Sequence, residues 1–210
     1  MSEQQLVNKA LTSQTLAPQP LTPQTFTGSI RKLWPTETNA FRDHLLRLDP
    51  DSRRMRFAHT VSAAFVEDYA GRMNDMGSIV FAYTEGAEVR AAAELRKLGD
   101  RWGTEAEAAF SVEKDFQDHG LGTELMGRVI RSARNRGIHR LYMSCLVENS
   151  NMQAIARKHE ADLKFEYGEV IGEILPQSPN YFSMLAEAVE DRVGYMMTVF
   201  DLQKRLVNAA

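Results

Sequence analysis

In the stretch Phe116 to Leu125, FQDHGLGTEL, two glycines stand one residue apart, between an alternating, strand-like run and a long helical one. A glycine-rich turn that opens a helix presents backbone N–H groups at the positive end of the helix dipole, which is a ready site for phosphate oxygens. Two nucleotide motifs can be tested against it. A P-loop needs Gly-Lys-Ser/Thr, whereas Gly122 is followed by Thr123 and Glu124. A dinucleotide fingerprint needs a third Gly or Ala three residues after the second, and Leu125 stands there. What remains is Gln-x-x-Gly-x-Gly: Gln117, Asp118, His119, Gly120, Leu121, Gly122.

Such a loop needs a strand before it and a helix after it. The alternating run Glu105 to Glu113 predicts the strand. Leu121, Leu125 and Val129, with Met126, Ile130 and Ala133, form two i, i+4 rows of one apolar stripe, which predicts a helix over Gly120 to Arg136 stopped by Gly137. The arginines in its back half, Arg128, Arg131, Arg134 and Arg136, suit the C-terminal dipole and solvent. Upstream, a short strand at Ser29 to Trp34 precedes a helix from about Glu37 that ends at Asp49, because the residue before Pro50 is disfavoured in the helical region. DPDSRRMRF restarts a helical turn capped by Asp51 or Ser52, its arginines read as a solvated turn, and VSAAFVEDYAGRM continues as another amphipathic helix. Strands Ser78 to Tyr83 and Glu88 to Leu95 flank a hairpin turn at Glu85-Gly86.

Downstream come a buried strand, HRLYMSCLV, a helix, NSNMQAIARKH, and a final strand or hairpin, LKFEYGEVIGEIL. Phe182, Leu185, Ala186, Val189, Val193, Met197 and Phe200 then trace a last amphipathic helix. This order describes a mixed α/β sheet. Residues 1–27, rich in Gln, Thr and Pro, read as a disordered tail; the main domain is expected over 28–176 and a helical extension over 177–210.

A net charge of −3, with no run of five like charges, leaves nucleic acid without its usual footprint. No signal-peptide segment and no run of 18 apolar residues occurs, so a cytoplasmic protein without a membrane partner is expected. A single cysteine, Cys145, excludes an intrachain disulfide, and the five scattered histidines imply no metal.

The glycine loop resembles the pyrophosphate-binding motif of the GNAT superfamily of N-acetyltransferases, and VENSNMQAIARK is similar to that family's Glu-Asn-x-x-Met signature. The resemblance follows the element order over roughly residues 29–175. DPDSRRMRF and AEAAFSVEKDFQDHGLG look like the acetyltransferase domains attached to acyl-CoA-synthetase-like protein lysine acetyltransferases. It implies a mainly antiparallel central sheet flanked by helices, and acetyl-CoA as co-substrate. By position, the backbone of Phe110, Ser111, Val112 and Glu113 would face the pantetheine, Gln117 to Thr123 (Gln117, Asp118, His119, Gly120, Leu121, Gly122 and Thr123) would hold the pyrophosphate, and Asn149 would combine a helix cap with a cofactor contact.

Transfer of an acetyl group to an amine needs a base, because a lysine-like amine is protonated near neutral pH. Period-2 alternation puts Glu105, Glu107, Ala109 and Ser111 on one strand face, and Glu107 matches the position of the base in the similar lysine acetyltransferase domains. Where many members carry a tyrosine to protonate the thiolate this chain has Ala156, which leaves Tyr142, Tyr167 or water. Glu85, Glu88, Glu94, Glu105 and Glu107 would form an acidic wall if they faced the cleft, suiting a polyamine, a cationic antibiotic or a protein lysine. The expected activity is acetyl transfer to a primary amine by direct attack, with a non-catalytic CoA-binding sensor as the rival and a homodimer through Tyr181 to Leu206 compatible with both.

Overall fold

The structure, a computed structural model, describes residues 27–73 and 77–208. The expected tail lies outside these residues except for Thr27. Strand β1 (Ser29–Lys32) leads through a 3-10 turn at Pro35–Glu37 into helices α1 (Thr38–Arg47), α2 (Pro50–Phe57) and α3 (Ala63–Gly71). The cap of α2 is neither Asp51 nor Ser52 but Asp49, whose carboxylate accepts from both of their backbone N–H groups. Pro50 explains the shift: with its preset φ and missing N–H it belongs at the first helical position, so the extended residue before it is the cap.

Strands β2 (Ile79–Glu85), β3 (Glu88–Lys97) and β4 (Glu105–Val112) form an antiparallel meander, with Gly86 at φ 59° in the first hairpin. Helix α4 (Leu121–Asn135), strand β5 (Arg140–Leu146), helix α5 (Ser150–Lys158), the hairpin β6 (Asp162–Glu166) and β7 (Glu169–Ile174), and helix α6 (Tyr181–Asn208) complete the chain. The seven strands lie in the order β1-β2-β3-β4-β5-β7-β6, and every neighbouring pair is antiparallel except β4 with β5. The expected mixed, mainly antiparallel sheet is what forms.

Helices cover both faces of that sheet. Leu125, Met126, Val129 and Ala133 of α4 pack on one face with Phe81, Ala93 and Leu95, while Phe41 and Leu45 of α1 and Val66 and Ala70 of α3 pack on the other with Val80 and Ala92. Alternate strand residues therefore feed two cores, which is why β2 and β3 read as near-continuous apolar runs. Ala91, Ala92 and Ala93 are all buried in β3, so small side chains face both helical layers. Among the described residues no helix is long and apolar enough to cross a membrane, and no cluster of metal-ligating side chains forms.

Helix α6 lies across β1 and α4 in an unexpected orientation. Its acidic residues point inward: Glu187 accepts from Arg136 Nη1 at 2.8 Å and Asn135 Nδ2 at 2.6 Å, Glu190 pairs with Arg128 and Arg131, and Asp191 accepts from Lys32 Nζ at 2.7 Å. Those α4 arginines are thus helix-docking groups rather than solvated ones. At Gly194 the backbone comes so close that an added Cβ would lie 2.9 Å from Arg31 Cβ. The predicted apolar stripe, from Phe182 to Phe200, faces away from the domain.

Candidate functional site

After β4 the chain makes a 3-10 turn at Lys114–Phe116 and enters the left-handed region at Asp118 (φ 61°) and Gly120 (φ 82°) before α4 starts. Asp49, Ser62 and Asn149 cap α2, α3 and α5 with side-chain oxygens, whereas the cap position of α4 is Gly120 and no side chain accepts there. A helix leaves its first N–H groups unpaired, and here they lie at the positive end of the dipole. They open on a cleft of about 530 Å³, walled by the loop, Phe110 to Val112, Ser52 and Met55 of α2, and the first turns of α5. Lys114 and Lys158 also line it, cations that the motif alone does not show.

Gln117 to Thr123 are brought together here, in different roles. Gln117 Nε2 donates to Val112 O at 3.0 Å and Ser52 Oγ at 3.1 Å, so this side chain ties the loop to β4 and α2. Asp118 accepts from Asn151 Nδ2 at 3.2 Å. Gly120, Leu121, Gly122 and Thr123 line the cleft, while His119 is exposed beside it. Asn149 Oδ1 accepts from Met152 N at 3.1 Å, and the residue lines the cleft.

The ladder between β4 and β5 stops at Ala108 and Met143, although β4 runs on to Val112 and β5 to Leu146. The two strands part there. Glu113 N donates to Arg90 O on β3 at 3.0 Å, so by antiparallel alternation the N–H of Ser111 turns the same way and those of Phe110 and Val112 turn to the open side. Only alternate members of Phe110 to Glu113 therefore present N–H groups to the gap. Ser111 and Glu113 instead hold His44, which is buried: Ser111 Oγ donates to His44 Nε2 at 2.9 Å, and His44 Nδ1 donates to Glu113 Oε1 at 3.1 Å. Burial lowers the His44 pKa against the pull of Glu113, consistent with this neutral tautomer. Burial also opposes ionisation of Glu113, but hydrogen bonds from His44 and Arg47 outweigh it and hold the carboxyl below its ordinary range.

A second cavity of about 460 Å³ meets the first at Met55, Arg56, Phe110, Asn149 and Met152. Glu107 is on its wall, 36% exposed, with Arg96 Nη1 at 3.8 Å. The aromatic rings of Phe57, Phe65 and Tyr69 pack together along the same cavity, with Arg96 over the Tyr69 ring. The expected acidic wall does not form: of Glu85, Glu88, Glu94, Glu105 and Glu107, Glu107 alone lines this cavity, where the other carboxylate is Glu169 of β7. Glu85 accepts from Tyr83 Oη at 2.9 Å, Glu88 pairs with Arg90, and Glu105 sits 3.4 Å from Arg140, because strand register carries them to other ends of the sheet.

Glu94 is buried beneath the cavity, where it pairs with Arg56 and accepts from Tyr69 Oη at 2.7 Å. Arg56, expected on a solvated turn, is itself buried; burial alone would lower its pKa, but Glu94 and Tyr69 raise it above the ordinary value. The signal was a glutamate amid the alanines and leucine of β3. Cys145 also lines the cavity, with burial pushing its thiol up to about 11. Ala156 is fully buried, Tyr142 Oη lies 3.4 Å from Glu105, and Tyr167 is exposed on the β6–β7 hairpin.

Residues 30–160 match the model of the acetyltransferase (GNAT) family. Over 104 residues, 49% of the chain, the sequence is 33% identical to acetyltransferase Pat of Mycolicibacterium smegmatis, and the match spans 31% of that protein. Among solved structures, the chain is similar to the GNAT domain of S. lividans PAT, with TM-score 0.60 and 24% identity over 70% of this chain and 90% of that one. It is also similar to the cAMP-binding acyltransferase from Mycobacterium smegmatis, with TM-score 0.51 and 23% identity over 81% and 52%. A third, yncA from Salmonella typhimurium with its cofactor acetyl-CoA, has TM-score 0.53 and 16% identity over 73% and 98%. At these identities the structural likeness is one of fold.

Proposed function

We propose, from the premise that this chain belongs to the acetyltransferase (GNAT) family, that it moves an acetyl group from acetyl-CoA to a primary amine by direct attack. One observation carries the reading. The glycine-capped N-terminus of α4 opens on a cleft that meets a second, carboxylate-bearing cavity past the unpaired end of β4.

The N–H groups between Asp118 and Thr123 are suited to the diphosphate of the co-substrate, with Lys114 and Lys158 as nearby cations. The open-side N–H groups of Phe110 and Val112 are suited to pantetheine amide carbonyls, as a sheet edge takes an added strand. The acceptor enters from the second cavity, where Glu107 serves as the base that removes a proton from its ammonium. The neutral amine nitrogen then attacks the thioester carbonyl carbon and the N–C bond forms; the nitrogen gives up its second proton to water, the carbonyl re-forms, and the C–S bond breaks with its electron pair on sulfur. Water supplies the proton for that thiolate, since Ala156 bears no acid. Cys145, with its raised pKa, takes no part. The acceptor class is a protein lysine or a small amine.

A thiol-release assay with acetyl-CoA over a panel of amines and lysine-bearing proteins tests this. Turnover is expected with at least one acceptor. Tight CoA binding without turnover selects a CoA-binding sensor, the reading that Ala156 favours, and failure to bind CoA overturns both.

A further inference from the structure

Helix α6 turns its charges inward and its apolar side outward. Between Tyr181 and Phe200, Ser183, Glu187, Glu190, Asp191 and Gly194 face the domain, and Arg192 is the one charged residue among the exposed positions. Phe182, Leu185, Val189, Val193, Met196 and Phe200 are 47% to 77% exposed. Contiguous apolar patches of this length are not left bare on soluble monomers, where the largest is typically about 300–600 Å².

The stripe has an internal order. Its steps are three, four and four residues, so it repeats after eleven: Phe182 with Val193, Leu185 with Met196, Val189 with Phe200. An eleven-residue repeat stays in line with the helix over its length. Phenylalanines stand at both ends and valines in the middle. Two crossing helices approach most closely where they cross and diverge toward their ends, so small residues at the centre and large ones at the tips fit a copy of the same stripe laid antiparallel. A two-fold axis requires this self-complementarity of a patch.

We infer that α6 is a dimerisation helix, which packs antiparallel on α6 of a second copy, across a two-fold axis between Val189 and Val193. The exposed side chains of the stripe and its flanks amount to on the order of 1,000 Å², against roughly 800 Å² per partner in a standard interface. Charge argues against a lipid surface as the occupant. Helices that lie on membranes carry Lys and Arg on their polar face, whereas the polar face of α6 is acidic and is paired with Arg128, Arg131, Arg136 and Lys32 of its own domain.

Analytical ultracentrifugation of the full chain, over a hundred-fold range of concentration, is expected to show a dimer. Val193→Glu should weaken it by about a hundred-fold or more, since a charge would be buried at the crossing. Because Val193 is exposed in the single chain, CoA binding of that variant should be unchanged, and its circular dichroism melt should match that of wild type at concentrations low enough for wild type to be monomeric, while losing the rise of Tm with concentration that a dimer shows. Val193→Cys should cross-link through a short bismaleimide, while wild type should not, its Cys145 being 3% exposed. A wild-type chain that stays monomeric overturns the proposal. In that case flotation with phosphatidylglycerol vesicles would identify a lipid occupant, and a dimer gained only on deleting residues 1–27 would identify that segment. A dimer that survives Val193→Glu overturns it equally.

Discussion

Replacing Glu94 by glutamine would strip Arg56 of its counter-charge while keeping the size of the side chain. Arg56 and Glu94 are 6% and 3% exposed, and Arg56 Nη2 donates to Tyr69 Oη at 2.6 Å as well as to Glu94. Arg56 Nε already has no hydrogen-bond partner, so the guanidinium has little to fall back on. Breaking one side of such a buried pair costs about 3–5 kcal/mol, because a charge is left without compensation. For a chain of this size each kcal/mol moves the melting temperature by roughly 2–4 °C, which puts the expected drop at about 6–20 °C. Urea titration and differential scanning calorimetry would measure both quantities. The double variant Glu94→Leu with Arg56→Met should recover most of the loss, since a buried ion pair replaced by apolar groups of similar volume is often close to neutral. A single variant within about 1 kcal/mol of wild type, or a double variant as unstable as the two singles added, would refute the reasoning.

Three further outcomes follow from the site. His44 and Glu113 both have folded pKa values below their ordinary 6.5 and 4.5, so on acidification the unfolded chain binds protons first. Stability should therefore be complete above about pH 6.5, decline as the pH falls below that value through His44, and decline again below about 4.5 through Glu113. His44→Gln should flatten the first decline in urea midpoints, and a flat wild-type profile between about pH 7 and 5 would contradict the burial argument. Glu107→Gln should lower kcat by about 10² to 10⁴ near neutral pH with CoA affinity unchanged, and the deficit should shrink as rising pH deprotonates the acceptor; full activity at pH 7 would move the base elsewhere. In Gly122→Val the new Cβ would lie 2.7 Å from Ile155 Cδ1, so the end of that side chain must shift and the valine methyls would crowd the loop at the cleft. Calorimetry should find CoA binding lost in that variant, and an unchanged affinity would refute the placement of the diphosphate.

The parts readable from sequence were those with a local cause. The stripe of α4, the alternation of β4 and the Gly120 turn each follow from residues within a few positions of one another, and they carried the fold and the loop. The cap of α2 lies two residues before Asp51 and three before Ser52, because Pro50 takes the first helical position and leaves the cap to Asp49. The Arg56–Glu94 pair was out of reach, since it depends on bringing α2 over β3. Periodicity also shows that α6 has an apolar face without showing which way it turns; that was decided by the match between its carboxylates and the arginines of α4. The same limit explains Glu113, whose position suggested a cofactor-facing backbone until the bond to Arg90 O set its direction.

The parting of β4 from β5 creates an edge in the interior of a sheet. Edge strands expose backbone groups that other chains can pair with, and proteins usually blunt them with charges, bulges or short length to avoid aggregation. Here Gln117 Nε2 already caps Val112 O, and α2 and the first turns of α5 wall the cleft on which the open-side N–H groups of Phe110 and Val112 lie. The open edge is therefore recessed between helices rather than laid along the rim of the sheet, where a strand of another molecule could reach it directly.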